Sequence, residues 1–309
     1  MRQTIFERCV FGAHVLLLAA MLPAACGSGS SPCGPGNDEP PDIIPDEQQL
    51  DTLVIGRVGV DELNQITGAD PGHTTLVQAF FADMSNYIVQ LADREFYSES
   101  CWIYTSQQIT SGAPEYLFVN KVVVSGLAGG EVTMQPEAEN PRMNPVVLQG
   151  RAYGEGDVMF DVTSRDEAGW FPAFTETIQA PEPLVVTQLE DRPDPDLSQG
   201  PSIGIDSMRV NDLVVKWVPG GGDYFEFKLI PGAGTETPYA KLRCVTRDDG
   251  CLHVPAAAVA ALALDKASNF QMKMERHYFK LHPIYDDSGQ LQAAVLLDVS
   301  SAVEATVLR

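Results

Sequence analysis

The sequence is short of basic residues, and that shortage excludes several partners. Only 20 Lys and Arg stand against 42 Asp and Glu, which gives a formal net charge of −22. Such a surface repels nucleic acid and anionic headgroups. The acids are scattered rather than set at the spacing of metal ligands, so they indicate solubility. We therefore predict no nucleic-acid partner and no cofactor.

Catalytic motifs are also missing. The chain has five histidines, and His277 and His282 stand at a spacing that directs them to opposite faces of a strand. We find no two-histidine helix motif, no paired CxxC motif and no calcium loop. GIDSM around Ser207, the segment nearest to a nucleophile elbow, lacks the second glycine. The sequence predicts a protein that is not an enzyme, although a pair of carboxylates brought together by folding stays open.

Long apolar runs are lacking except near the N terminus. Arg2 and Arg8 precede an apolar run over residues 10–22, and small residues then lead to Cys26. This is the order of a secretory signal, and the run is shorter than the roughly 18 residues that a membrane-spanning helix needs. The segment LPAAC resembles a lipoprotein cleavage signal, which implies a diacylglyceryl group on Cys26. Ordinary cleavage near Ala25 is the alternative.

The segment behind this signal is poor in apolar residues. We expect a signal peptide over residues 1–25 and a lipidated, disordered tether over residues 26–50, where Gly, Ser, Pro and acids dominate. By resemblance to enteric lipoproteins, Gly27 after the cysteine favours the outer membrane. The predicted location is therefore that of an exported outer-membrane lipoprotein, on the periplasmic or cell-surface side, held to the membrane by its N-terminal lipid.

Beyond the tether the apolar runs are short and β-like. They are separated by Gly, Pro, Asn and Asp, which predicts an all-β protein with two sandwich-like domains, residues 51–182 and 183–309. DLVVKW and DYFEFKL alternate like half-buried strands, and VPGGG between them predicts a hairpin turn. Pro255 opens AAAVAALAL, which predicts a short connecting helix. For residues 74–92, a helix behind Thr74 and two strands around DMSN both fit.

An even number of cysteines in an exported chain indicates disulfides. Cys244 and Cys251 flank VTRDDG and could close across a hairpin, although the Asp-Gly turn signal lies off the centre of that loop. Cys33 could reach Cys101 or stay free. Because connectivity cannot be read from spacing alone, these alternatives stay open.

The same acidic loop offers one candidate metal site. Asp248 and Asp249, followed by glycine, could hold calcium with the help of backbone carbonyls. Turns favour these residues in any case, because short acidic side chains and glycine suit turn geometry. We therefore predict no metal ion.

One resemblance rests on three stretches between residues 116 and 265. They are KVVVSGLAGGEVTMQP, GDVMFDVTSRDEAGWFPAFTETIQAPEPLVVT, and NDLVVKWVPGGGDYFEFKL with LRCVTRDDGCLHVPAAAVAAL. In this order they resemble uncharacterised lipoproteins of myxobacteria and related Gram-negative bacteria, which usually lack a counterpart of Cys251. The C-terminal half also resembles an immunoglobulin or fibronectin type III sandwich with Trp217 in its core. The resemblance implies a fold and a cellular location but no activity.

Together these features predict a lipid-anchored, non-enzymatic binding, adhesion or structural module that meets a protein or a polysaccharide. A binding module requires an apolar or aromatic patch. A hydrolase of envelope polymers is the alternative, and it requires a pocket in which two carboxylates, or a Ser and a His, converge. A passive spacer requires neither feature.

Overall fold

Strands make up almost all of the regular structure. The structure is a computed structural model, and it describes residues 54–65, 72–85, 88–90, 94–105, 109–111, 113–137, 139–154, 156–189, 192–193, 204–231, 240–262 and 269–308. Only two short helices occur among these residues, and neither has the length and hydropathy that crossing a membrane requires. The predicted all-β, sandwich-type fold is thereby confirmed.

Among the described residues, both short helices lie in the second half of the chain. The strands are β1 (Val54–Gln65), β2 (Gly72–Asp83), β3 (Ile88–Gln90), β4 (Arg94–Phe96), β5 (Cys101–Thr105), β6 (Ile109–Ser111), β7 (Glu115–Tyr116), β8 (Lys121–Ser125), β9 (Val132–Met134), β10 (Val146–Gln149), β11 (Asp157–Thr163), β12 (Phe174–Gln179), β13 (Val186–Leu189), β14 (Arg192–Pro193), β15 (Leu213–Trp217), β16 (Tyr224–Pro231), β17 (Ala240–Thr246), β18 (Cys251–Val254), β19 (Asn269–Tyr285) and β20 (Leu291–Leu308). The helices are α1 (Ile205–Met208) and α2 (Ala256–Ala261), and α2 is the connecting helix that the sequence predicts.

A ten-stranded sheet joins the two halves of the chain. Its order is β10-β2-β1-β20-β19-β16-β17-β5-β4, with β7 paired to β2, and every pairing is antiparallel except β1 with β20. Strands from both halves share this sheet, because β10, β2 and β1 on one side and β5 and β4 on the other flank the block β20-β19-β16-β17. The division into domains 51–182 and 183–309 is therefore not observed among the described residues. The described residues belong to one compact unit.

Two four-stranded sheets pack on one face of the large sheet. They have the orders β12-β11-β8-β9 and β14-β13-β15-β18, and each encloses its own hydrophobic cluster. The hairpin of β19 and β20 serves both clusters, since Met272 and Met274 pack in one while Val295 and Leu297 pack in the other. We call this side of the large sheet its apolar face and the other side its polar face.

The predicted core tryptophan is confirmed. Trp217 on β15 stacks on Phe225 of β16, with ring centroids 3.7 Å apart and an interplanar angle of 8°. Because β15 and β16 belong to different sheets, this stack joins the two layers of the sandwich. The segment VPGGG between them is therefore a crossing between sheets, and the hairpin predicted there is wrong.

A disulfide links strands that are far apart in sequence. Cys101 on β5 faces Cys244 on β17 in the large sheet, and the two are bonded. The predicted Cys244–Cys251 pair is wrong, because Cys251 starts β18 in another sheet. Cys251 is also disulfide-bonded, but not to Cys244. The sequence separation of 143 makes the Cys101–Cys244 bond a strong constraint on the unfolded chain, about 5 kcal/mol in the chain-entropy estimate.

The ambiguous segment near residue 74 is a strand. β2 runs over Gly72–Asp83 and pairs with β1 along its whole length, from Val54↔Asp83 to Gln65↔Gly72. The helix alternative is wrong, because the apolar residues at helical spacing are divided between the two faces of this strand. Val77 and Phe81 pack in a core, while Phe80 lies on the polar face.

A buried ion pair holds the place where the chain crosses between sheets. The side chains of Arg276 on β19 and of Asp248 are 1% and 0% exposed, and Arg276 Nε donates to Asp248 Oδ2 at 2.8 Å. Asp248 also accepts from Trp217 Nε1 at 2.6 Å and from the backbone N–H groups of Gly220 and Gly222 at 3.1 and 2.8 Å. One carboxylate thereby holds both crossing loops, residues 218–223 and 247–250.

The rest of the Arg276 guanidinium is satisfied by carbonyl groups. Nη1 donates to the carbonyl of Glu182 at 3.1 Å, and Nη2 donates to the carbonyl of Val218. A Cβ at Gly220 would lie 2.3 Å from Arg276 Nη1, so only glycine lets the backbone approach so closely. The glycine run therefore has a packing role.

We expect Arg276→Leu to lower the free energy of unfolding by about 3–5 kcal/mol, because it leaves the buried Asp248 without its charged partner. Urea denaturation measures the change. Lys280→Met is the control, since Lys280 is 45% exposed and its pair with Glu176 is a surface ion pair, which should contribute less than about 1 kcal/mol. Equal losses in the two variants would contradict the role given to Arg276.

Candidate functional site

The centre of the polar face carries charged side chains that are nevertheless buried. Glu226 and Lys228 of β16 lie opposite Glu275 and Lys273 of β19, so that like charges face each other directly. Directly opposed like charges are unfavourable. The side chains instead pair with opposite charges along β16 and diagonally across to β19. Lys228 Nζ lies 2.9 Å from Glu226 Oε2 and 2.9 Å from Glu275 Oε2.

These contacts continue across the sheet as one ionic network. Arg243 Nε lies 2.5 Å from Glu226 Oε1, and Lys273 pairs with Glu275. On the β20 side, His277 Nδ1 lies 3.0 Å from Asp298 Oδ1. The network as a whole consists of Arg57, Asp61, Glu226, Lys228, Arg243, Lys273, Glu275, His277 and Asp298. Leaving His277 aside, the network has equal numbers of the two charges, four carboxylates and four Lys or Arg side chains.

The network shifts the pKa values of its members. Burial raises the pKa of the Glu275 carboxyl, but the charges of Lys228 and Lys273 outweigh it, so that this pKa lies well below its usual range. Burial lowers the pKa of His277, but the charge and hydrogen bond of Asp298 outweigh it, and the pKa is raised. The same pairing holds the pKa of Asp298 below its usual value despite its burial.

Three members lie close enough to share a metal ion. Ligand atoms of Glu226, Glu275 and His277 are within 4.8 Å of one another. The carboxylate oxygens already pair with Lys228, Lys273 and Arg243, so a divalent cation would have to displace ammonium and guanidinium groups. We therefore interpret the cluster as a charge-compensated structural network.

A cavity of about 300 Å³ opens at the β1–β2 end of the same face. Its lining combines apolar and aromatic side chains with polar ones: Phe80, Tyr116, Met143 and Pro145, together with Ala79, Gln78, Arg57 and Arg142. The volume lies at the lower end of the range for small-molecule sites, and the mixture of apolar walls and a few polar groups is typical of them. None of the described lining residues is acidic.

Two arginines give the cavity its charge. The guanidinium of Arg142 lies over the ring of Tyr116, 4.3 Å from its centroid. Arg57 Nη2 lies 3.2 Å from Asp298 Oδ2, and Asp298 in turn contacts His277. The cavity is therefore attached to the edge of the ionic network, which fixes the position of Arg57.

A second depression of about 660 Å³ lies near the ends of β1 and β2. Arg165 stacks on Trp170 there at 4.7 Å, and Asp83, Asp166 and Glu167 also line it. Hydrogen bonds from the side chain and backbone of Ser85 lower the pKa of Asp83, which keeps it ionised. A glycosidase acid needs a raised pKa, and Asp83 does not have one.

Among the residues singled out from the sequence, His277 belongs to the ionic network, whereas Asp248 and Asp249 lie outside both the network and the cavities. Cys26 lies outside the described residues. Both oxygens of Asp248 are occupied in the buried ion pair, whereas Asp249 is exposed, so the pair does not form a calcium site. His277 and His282 lie on opposite faces of β19, as predicted from their spacing.

The cavity has only a faint signal in the sequence. Arg57 interrupts the apolar run TLVIGRVGV, and a charge within such a run can mark a special contact. Arg142 lies in a loop without periodic pattern, and no spacing connects it with Tyr116. Tyr116 joins the lining because β7 pairs with β2, a contact that composition and periodicity do not show.

Comparison with known proteins adds no relative to these observations. No protein-family model matches the chain, and a search of the curated proteins finds no match. Function must therefore be inferred from the cavity, the network and the sequence signals.

We expect the contribution of His277 to stability to fall as pH rises. Its folded pKa is raised above the ordinary value of 6.5, so the stabilisation is fully present below about pH 6.5 and is lost as pH passes through the folded pKa. The ring faces Asp298 of β20, Glu226 of β16 and Glu275 of its own strand. Urea denaturation of the wild type and His277→Gln from pH 6 to 9 should show a shrinking difference. A difference that grows with pH would contradict the assignment.

Proposed function

We propose that this chain is an exported, lipid-anchored, non-enzymatic binding module of the bacterial envelope, and that its ligand site is the cavity between Arg57 and Arg142. The observation that carries the proposal is the lining of that cavity, in which aromatic and apolar walls surround two guanidinium groups and no described carboxylate. Apart from the Tyr116 phenol, the described lining offers contact area and orientation but no carboxylate, histidine, serine or cysteine to act as a nucleophile or general base.

The anchor rests on the N-terminal sequence. The charged, apolar and small residues that end at Cys26, the acidic tether behind it and the resemblance to myxobacterial lipoproteins support the same location. Two or three acyl chains, at about 0.8 kcal/mol per buried methylene, would hold the protein stably at a membrane. The acidic surface would keep the folded part away from anionic headgroups.

A hydrolase of envelope polymers is the alternative function. Glu226 and Glu275 converge on Lys228, but none of the three lines either cavity. The described lining of both cavities contains no histidine that could activate a serine. These contacts favour binding over hydrolysis.

We expect Cys26→Ser to abolish incorporation of a palmitate analogue and to move the protein from the membrane fraction to the soluble fraction. Cys9→Ser is the matched control, because Cys9 lies within the signal peptide and should leave both readouts unchanged. Metabolic labelling with cell fractionation makes the measurement. Ordinary cleavage near Ala25 predicts no label in the wild type, and that result would overturn the anchor.

We expect small aromatic and aliphatic compounds that bind this protein to shift the methyl signal of Met143. Met143 lines the cavity, whereas Met272 and Met274 belong to the other hydrophobic cluster, do not line the cavity and serve as internal controls. A fragment screen on the full mature chain, labelled with ¹³C at its methionine methyl groups, makes the measurement, and Met143→Leu assigns the signal. Bound fragments that leave Met143 unshifted would overturn the choice of cavity.

A further inference from the structure

We infer that the cavity recognises a small organic carboxylate, a monoanion with an apolar body. The inference rests on the proposed binding function and names the chemical class of its ligand. Three observations carry it: an arginine whose charge is not matched locally, a second arginine fixed by a buried carboxylate, and apolar walls.

Arg142 supplies the unmatched charge. Its guanidinium packs over Tyr116 and, within the described part of the chain, forms no ion pair and no hydrogen bond. Arg142 is exposed, and the N–H groups of its guanidinium have the geometry that matches the two oxygens of a carboxylate. In a chain of net charge −22, a surface arginine would ordinarily meet a carboxylate of its own.

Arg57 supplies the second positive group in a fixed position. Asp298 lies 3.2 Å from its Nη2 and is 5% exposed, and the hydrogen bond with His277 holds Asp298 in place. Counting Arg57, Arg142 and Asp298 together leaves one positive charge at the cavity. One carboxylate would neutralise it, whereas a doubly charged phosphate would leave a negative excess beside Asp298.

The walls favour an organic ligand over an inorganic anion. Phe80, Met143 and Pro145 contribute apolar surface to a volume of about 300 Å³, which a bare anion would not fill. The second depression shows the contrast, because there the stacked Arg165 shares its surroundings with Asp83, Asp166 and Glu167. Those three acids disfavour an anion, so two similar arginine–aromatic stacks lie in opposite electrostatic surroundings.

The test compares three probes on the full mature chain held in lipid nanodiscs: 4-methylbenzoate, its neutral isostere 4-methylbenzamide, and inorganic phosphate. The shift of the Met143 methyl signal reports binding at the cavity. We expect the benzoate to bind about tenfold or more tightly than the amide, the effect of one charge-assisted hydrogen bond. We also expect this preference to weaken as salt rises.

Arg142→Gln should abolish the preference for the benzoate. Arg165→Gln should preserve it, since it removes a charge from the same kind of stack outside the cavity. Equal binding of amide and benzoate, both shifting Met143, would overturn the carboxylate class and leave the proposed binding function standing. Phosphate that competes as well as the benzoate would overturn the organic ligand. If no probe and no fragment shifts Met143, both proposals fail.

Discussion

The structure depends on the ion pair between Arg276 and Asp248. A carboxylate and a guanidinium without water are costly to bury, and they are tolerated only where every donor and acceptor is used. Here the donors of Trp217, Gly220 and Gly222 complete the shell of Asp248, and backbone carbonyls complete that of Arg276. The pair lies where both crossing loops meet, so it fixes how one four-stranded sheet sits on the ten-stranded sheet.

The hairpin of β19 and β20, which carries Arg276, has hydrophobic packing on one face and an ionic network on the other. On one face of β19, Met272 and Met274 continue into hydrophobic packing, while on the other Glu275 and His277 enter the ionic network. A sheet buried on both sides normally reads as continuous apolar sequence. Here charged side chains that pair across the strands cover the second side instead. Their burial costs desolvation free energy, but their pairing fixes the register of β16 against β19.

The sequence predicted what depends on local pattern and missed what depends on pairing. Alternation in DYFEFKL and the proline at the start of α2 were visible in the sequence, and the resemblance to an immunoglobulin sandwich implied the core position of Trp217. The same alternation suggested that Glu226 would face solvent, and only the positions of Lys228 and Glu275 explain its burial. The membership of strands in sheets, the partner of Cys244 and the cavity all arise from contacts between distant segments, which periodicity does not record.

The placement of basic side chains links the fold to the proposed site. In a chain with so few of them, Arg276, Lys228 and Arg243 hold buried carboxylates and are therefore structural. Arg57 has a structural role and also lines the cavity. Asp298 fixes its position, while its side chain is 39% exposed. The network thereby presents one guanidinium rigidly at the cavity, and preorganisation of this kind lowers the entropy that a ligand must lose on binding. Stability of the polar face and the proposed recognition of a ligand thus rest on the same residue.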